Sequence, residues 1–310
     1  MSQEKVGNVV LDYTFYPGED LYSDGPVEDM MLEIAKKYGE DEWNRAIAES
    51  KSWPALYHFS HIRQNILEWF PFTGEDSVLE IGSGCGAITA CLARKAGRVT
   101  CIDLSRKRSQ INAYRNREYG NIEIKVGNFQ DIEKSLEEKY DYITLIGVFE
   151  YSKGYIQAEQ PYEEMLRCIE RHLKPGGKIL IAIENRLGMK YWAGCTEDHT
   201  GNFFEGIEGY RKDSSVRTFS RKELEDLIKE AGDFTSKFYY PYPDYKFPLC
   251  IYSDEYLPKC GELNLTAYNY DRARMELFDE RRVMDTVICN GMFPEFSNSF
   301  LVVIERGKEQ

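Results

Sequence analysis

An apolar run with a single acid in it, Val78-Leu79-Glu80-Ile81, leads straight into Gly82-Ser83-Gly84-Cys85-Gly86, and a helix-compatible stretch follows over 87–96. The run reads as a buried strand, and the glycines as a turn that brings bare backbone to a helix start. Helix starts carry unpaired N–H groups and a positive dipole end, and glycines leave room for a bulky group beside them. A chain built this way is an α/β protein that holds a nucleotide-like ligand at the end of a strand.

The rest of the chain bounds that reading. Its 310 residues suffice for one large α/β domain with embellishments, and a hydrophobic content of 42% supports a packed core. A net charge of −13 argues against nucleic acid as the main substrate, since phosphate binding needs clustered Lys and Arg. The one basic cluster, Arg106-Lys107-Arg108, reads as a solvated face at a helix start. No apolar run reaches the ~20 residues of a membrane span, and the N-terminus lacks a basic start followed by an apolar stretch. The eight cysteines are scattered without CxxC pairs, which predicts reduced thiols and a cytoplasmic location.

Three zones follow along the sequence. Residues 1–75 are predicted to form a helical cap after an irregular start, with helices from Pro26 to Gly39 and near 55–69. Residues 76–240 alternate strands (78–81, 98–102, 122–126, 141–146, 178–183) with helices (86–96, 106–118, 131–138, 160–173), the signature of a parallel sheet with crossovers. Lys174-Pro175-Gly176-Gly177 reads as the turn before the fifth strand. Ser220 and Glu223 form a capping box that opens a helix at 220–231, followed by a strand at 235–240. Residues 241–297 make a Tyr-rich insertion with a charged helix near 268–289. The run 299–305 is a terminal strand suited to antiparallel pairing with 235–240, so the core comprises 76–240 plus 298–306.

Two ligands compete for the glycine turn. Gly82-x-Gly84-x-x-Ala87 with Asp103 about twenty residues on satisfies the dinucleotide fingerprint, so a nicotinamide-dependent oxidoreductase is one reading. In either case Asp103 is placed on ribose hydroxyls. Glu80 favours a ligand with an ammonium group. Asn128, after the third strand, is placed to read an adenine amino group with Phe129 against the base. The closing antiparallel strand also departs from the second βαβ half that a dinucleotide fold requires.

At these positions the chain resembles the class I S-adenosylmethionine-dependent methyltransferases, whose first cofactor motif, E-x-G-x-G-x-G, is matched by Glu80, Gly82, Gly84 and Gly86. The resemblance implies a Rossmann-like class I methyltransferase fold: a seven-stranded, mostly parallel sheet with an antiparallel C-terminal strand, a helical cap and inserted lids. It implies S-adenosyl-L-methionine as cofactor and S-adenosyl-L-homocysteine as product. Ser83, Leu104 and Gly147 are expected to line the cofactor alongside the residues already named, with Arg63 on the cap reaching a carboxylate or a phosphate. The segments 57–63, 184–194, 197–201 and 240–248 are similar to methyltransferase modules of bacterial surface-polysaccharide biosynthesis. This implies a small-molecule or glycan acceptor and a glycosyltransferase or kinase-like partner; a non-catalytic cofactor-binding module in such an assembly is the further alternative.

Methyl transfer to a hydroxyl benefits from a general base. His199, oriented by the adjacent Asp198, is the first candidate, and Glu150 is placed at the cofactor's methionine end or the acceptor. His58 and His61 are second choices. Glu184-Asn185 is similar to the acid–amide pair of metal-dependent O-methyltransferases, but no further carboxylate ligands are evident in the sequence, and no metal is expected. Trp192, Phe203 and Phe204, with the tyrosines of 239–256, are candidates for an aromatic lid over the acceptor.

Overall fold

A computed structural model describes residues 3–20 and 22–307. They form two compact units, one within residues 1–145 and 168–179, the other within 146–167 and 180–310. In the first unit the apolar runs become strands. β1 (Gln3–Val6), β2 (Val9–Asp12), β3 (Ser77–Ile81), β4 (Arg98–Asp103), β5 (Ile122–Val126) and β6 (Tyr140–Ile146) stand in the order β1-β2-β5-β4-β3-β6, and the first half of β7 (Leu173–Glu184) comes next. β3 pairs in parallel with β4 and β6, and β5 in parallel with β4 and β2. Val78, Leu79, Val99, Cys101, Ile124, Ile143 and Leu145 are wholly buried, as expected of parallel strands covered on both faces.

In the second unit the remainder of β7 is followed by β10 (Ser299–Arg306), β8 (Phe234–Tyr242) and β9 (Cys250–Ser253). β10 pairs antiparallel with β8, as the sequence predicts, and β8 with β9. The described residues therefore contain ten strands rather than seven. The additions are β9 and the hairpin β1–β2, where an irregular start was expected. Val6 pairs with Val9 across a Gly7-Asn8 loop, a two-residue connection that closes a hairpin tightly.

Several helices differ from expectation for local reasons. The predicted helix near 55–69 breaks at Ser60, whose backbone is extended and whose hydroxyl caps a new turn by accepting from the Ile62 N–H at 3.3 Å. Lys174-Pro175-Gly176-Gly177 lies inside β7, and the preceding helix ends at Glu170. The charged helix near 268–289 is confined to Glu280–Cys289, because Asp279 caps it through the Arg281 and Arg282 N–H groups. The capping box at Ser220 and Glu223 forms as predicted. Cys260 and Cys289 are joined as a disulfide, which corrects the expectation that all eight cysteines are reduced thiols. No helix among the described residues is long and apolar enough to cross a membrane.

The N-terminal helices Val27–Lys37, Trp43–Ser50 and Trp53–Phe59 pack through Met31, Ile34, Trp43 and Phe59 against Ile111 of the helix Arg106–Arg115. Cys85, inside the glycine turn, belongs to the same apolar cluster. In the basic triplet that opens the helix, Arg106 is exposed and Lys107 partly so, as expected of a solvated face, whereas Arg108 is largely covered. Arg106 lies over the Tyr13 ring at 4.8 Å, Lys107 pairs with Asp29 at 2.6 Å, and Arg108 pairs with Asp24 at 3.2 Å. Asp20 reaches the same helix start, accepting from the Arg106 N–H at 2.6 Å and the Ser105 hydroxyl at 2.9 Å.

Two stability predictions follow from β3 and its turn. Gly84 and Gly86 both have left-handed backbones (φ 51° and 76°), but only at Gly86 would a Cβ collide, lying 2.4 Å from Asn112 Oδ1. Gly84→Ala should cost about 1 kcal/mol from backbone strain, and Gly86→Ala clearly more, read from chemical denaturation. Glu80 is buried and accepts from the Thr89 hydroxyl at 2.5 Å; burial pushes its carboxyl up to about 7. A carboxyl whose folded-state value is raised costs no stability below its unfolded value and destabilises progressively as pH rises from the ordinary 4.5 to about 7. Glu80→Gln should therefore be nearly neutral at low pH and stabilising by up to about 3 kcal/mol above neutrality. A thermal-unfolding difference that stays flat with pH would refute this.

Candidate active site

β3 delivers the chain into the glycine turn, and β4 holds that turn in place. The Gly82 N–H donates to the Ile102 carbonyl at 2.8 Å, and the Gly86 N–H to the Ser83 carbonyl at 3.0 Å. Asp103, at the end of β4, accepts from the Gly84 N–H at 2.7 Å and the Ser105 N–H at 2.9 Å. Its carboxylate thus ties the turn to the start of the next helix, whose N-cap is Ser105. Burial raises the Asp103 pKa, opposed by the Arg108 charge and the two backbone donors. Ser83 is buried and Leu104 half-buried beside it.

The other first-unit candidates fall into two kinds. Asn128 Oδ1 accepts from the Gln130 N–H at 3.1 Å and caps the short helix Phe129–Ile132, with Phe129 buried. Glu80 turns toward Thr89 and Cys101 rather than presenting both oxygens outward. Arg63 is 6% exposed and stacks on the Tyr57 ring at 4.0 Å. Its Nε and Nη1 have no hydrogen-bond partner among the described residues. A buried guanidinium left this way is a costly arrangement that an anionic ligand would relieve. His58 is buried, and burial, with the charges of Arg108 and Arg63, lowers its pKa to about 4 against the pull of Asp24. His61 is exposed.

The second unit holds a buried network of charges. Gly147 follows β6, donates its N–H to the Ala182 carbonyl at 2.9 Å, and lies against the Tyr245 hydroxyl. Glu150 sits in the short turn Phe149–Tyr151, and Glu184 ends β7; they are 1% and 0% exposed. His199 Nε2 lies 3.5 Å from Glu150 Oε1, and its Nδ1 lies 2.9 Å from Glu197 Oε1. The residue that orients the imidazole is therefore Glu197, not Asp198. Glu197 is fixed in turn by the backbone N–H groups of His199 and Thr200 and by the Tyr210 hydroxyl.

Asp198 belongs instead to a lysine network. It pairs with Lys190 at 2.7 Å and Lys246 at 3.2 Å, and accepts from the Tyr191 hydroxyl at 2.6 Å. Lys190 also pairs with Asp244 at 2.6 Å, and Lys246 with Glu184. The titrations follow from this wiring. Burial opposes the charge on His199, but hydrogen bonds to Glu150 and Glu197 raise its pKa well above the usual value. Burial also opposes the Glu197 charge, yet the His199 contact brings its carboxyl down to about 2. Glu150 is raised by burial.

One ligand-type atom from each of Glu150, Glu184 and His199 lies within 4.8 Å of the others. The sequence offered Glu184-Asn185 as an isolated pair, with no sign of which distant residues join it. Asn185 is spent elsewhere, donating to the Glu295 and Ser297 carbonyls at 2.8 Å each. Lys190, Glu197, Asp244 and Lys246 were missed in the sequence, because a lone charged residue in a loop looks like any solvated one. Of the proposed lid aromatics, Trp192, Phe203 and Phe204 are partly exposed, whereas Tyr240, Tyr242 and Tyr245 are buried as core.

Comparison with known proteins addresses what this geometry belongs to. Residues 79–179 match the family described as a methyltransferase domain. An uncharacterised methyltransferase of Staphylococcus carnosus is 31% identical over 203 residues, a match covering 65% of this chain and 89% of that protein. A ubiquinone biosynthesis O-methyltransferase of Pseudomonas savastanoi pv. phaseolicola is 25% identical over 150 residues, and the match spans 48% of this chain and only 60% of that relative's length. Among solved structures, a chain from the complex of the Haloferax volcanii Trm112 methyltransferase activator with a methyltransferase superposes with a TM-score of 0.50 at 20% identity, covering 88% of this chain and 99% of that one. That likeness concerns the fold, a mixed sheet that is mostly parallel with antiparallel strands at its C-terminal end. The nicotinamide reading of the glycine turn is thereby set aside, and the chain belongs to the class I S-adenosylmethionine-dependent methyltransferase family.

Proposed function

We propose that this protein transfers a methyl group from S-adenosylmethionine to an acceptor hydroxyl. The observation that carries the cofactor half is the buried Arg63 guanidinium with two unpartnered nitrogens, in the same unit as the glycine turn and Asp103. Arg63 would take the cofactor's carboxylate, and Asp103, with lone pairs left beyond its two backbone bonds, would accept from the ribose hydroxyls. Asn128 and Phe129 would face the adenine, with Gly82, Ser83, Gly84, Gly86 and Leu104 lining the remainder. Glu80 acts through the packing of Thr89 and Cys101. The cofactor supplies an electrophilic sulfonium methyl; the protein's task is alignment and exclusion of water.

The acceptor half is assigned to the polar network of the second unit. Among the described residues Glu150 has one oxygen without a hydrogen-bond partner, and burial raises its carboxyl, which suits it to accept the acceptor's proton. His199, held in its charged form, steadies Glu150 rather than serving as the base itself. Asp198 fixes Lys190 and Lys246 by pairing with both. Glu150 would take the proton that the acceptor hydroxyl gives up on methylation.

Oxygen as the acceptor atom is supported by the ubiquinone biosynthesis O-methyltransferase among the relatives. A carbohydrate-linked acceptor is supported by the polysaccharide-type segments 184–194, 197–201 and 240–248. These three stretches supply Glu184, Lys190, Asp198, Asp244 and Lys246 to one network, and His199 to the cluster beside Glu184. In this reading the 241–297 insertion covers the acceptor, residues 1–75 cap the cofactor, and a glycosyltransferase or kinase-like partner presents the glycan in the cytoplasm.

Calorimetric titration with S-adenosylhomocysteine should show Asp103→Ala and Arg63→Met each weakening binding by about tenfold or more, with circular dichroism unchanged. Unaltered affinity in both would overturn the cofactor assignment. A radiolabelled-methyl screen of nucleotide sugars, glycans and phenols against matched amines should label hydroxyl acceptors alone, and Glu150→Gln should depress turnover far more than cofactor binding. Labelling confined to amines would refute O-methylation.

A further inference from the structure

Glu150 and Glu184 each carry a carboxylate oxygen, Oε2, with no hydrogen-bond partner among the described residues, although both side chains are essentially inaccessible to solvent. Leaving a buried anionic oxygen unpaired costs several times what an ordinary hydrogen bond contributes. The neighbouring cations do not resolve it. Lys246 is engaged by Glu184 Oε1 and Asp198, and Lys190 by Asp198 and Asp244. These same two carboxylates converge with His199, one donor atom from each of the three lying within 4.8 Å of the others.

His199 is arranged as a metal-binding histidine would be. Its Nδ1 is held by Glu197 Oε1 at 2.9 Å, and Glu197 is itself locked by two backbone N–H groups. That leaves Nε2 facing the two glutamates. A carboxylate behind the imidazole fixes the ring and raises the basicity of the nitrogen turned to the metal. A cation about 2.1 Å from each donor sets donor separations of about 3–4 Å, which side-chain shifts below an ångström would reach from the present spacing.

We propose that Glu150, Glu184 and His199 form a binding site for one divalent first-row transition cation. Two carboxylates and one imidazole make a mixed oxygen–nitrogen set that suits Mn2+ and its neighbours better than Mg2+ or Ca2+, and three protein ligands leave positions open. This rests on and deepens the acceptor reading above: ion binding displaces the Nε2 proton of His199, and the ion then replaces the charged imidazole beside Glu150 while holding the acceptor oxygen. Metal binding itself is measured without methyl transfer, so the two readings can fail separately.

The full-length protein, stripped with chelator, should be titrated with Mn2+ and followed by the electron paramagnetic resonance of the free ion. One equivalent should bind, and Glu184→Gln and Glu150→Gln should each weaken binding at least tenfold, with Asp271→Asn on the exposed loop as a silent control. Spin-echo modulation from a coordinated imidazole nitrogen should be present in the wild-type complex and absent in His199→Phe. That signature keeps the proposal testable if the glutamate variants fail to fold. Absence of binding up to millimolar Mn2+ and Zn2+ would overturn it, leaving an ion pair of charged His199 with its glutamates. Binding without nitrogen modulation would likewise overturn it.

Discussion

The Asp103 carboxylate organises the first unit. Its two oxygens take the Gly84 and Ser105 N–H groups, so one side chain fixes the glycine turn and the entry to the following helix together. Asp20 and the basic triplet then fasten the N-terminal segment to the same helix start. The cap helices and Cys85 share one apolar cluster, so the turn is gripped by packing as well as by hydrogen bonds. A binding loop rich in glycine is intrinsically costly to order, and these contacts offset that cost before any ligand arrives.

The second unit spends its polar groups differently. Four buried carboxylates, those of Glu150, Glu184, Glu197 and Asp244, and the partly buried Asp198 share three cations among the described residues, Lys190, Lys246 and His199. Such a network is a poor way to gain stability, because desolvation consumes most of the attraction. Strongly shifted titrations and unpaired oxygens gathered in one place mark a functional site more often than a structural one.

Much of the fold was legible because apolar runs and glycine–proline punctuation are local signals. β3 to β6 and β10, the capping box at Ser220 and the family resemblance all lay in contiguous text. The hairpin β1–β2 was not read from the sequence, because Gln3–Val6 carries a single apolar residue and both strands are only four residues long. The helix Glu280–Cys289 was overextended because charged residues at 268–279 are compatible with a helix, and only the Asp279 cap shows where it begins. The disulfide joins positions 29 residues apart with no recognisable spacing.

By itself the sequence determined the strand–glycine turn–helix unit, the acid at the end of β4 and the class of cofactor, because those depend on residues close together in the chain and on backbone conformations few side chains permit. Only the tertiary structure decided that Glu197 rather than Asp198 serves His199, that Asp198 answers to two lysines, and that Glu150 and Glu184 converge on His199. Adjacent residues in a loop point in different directions, and partners drawn from separate strands and turns meet only when the chain has closed around them.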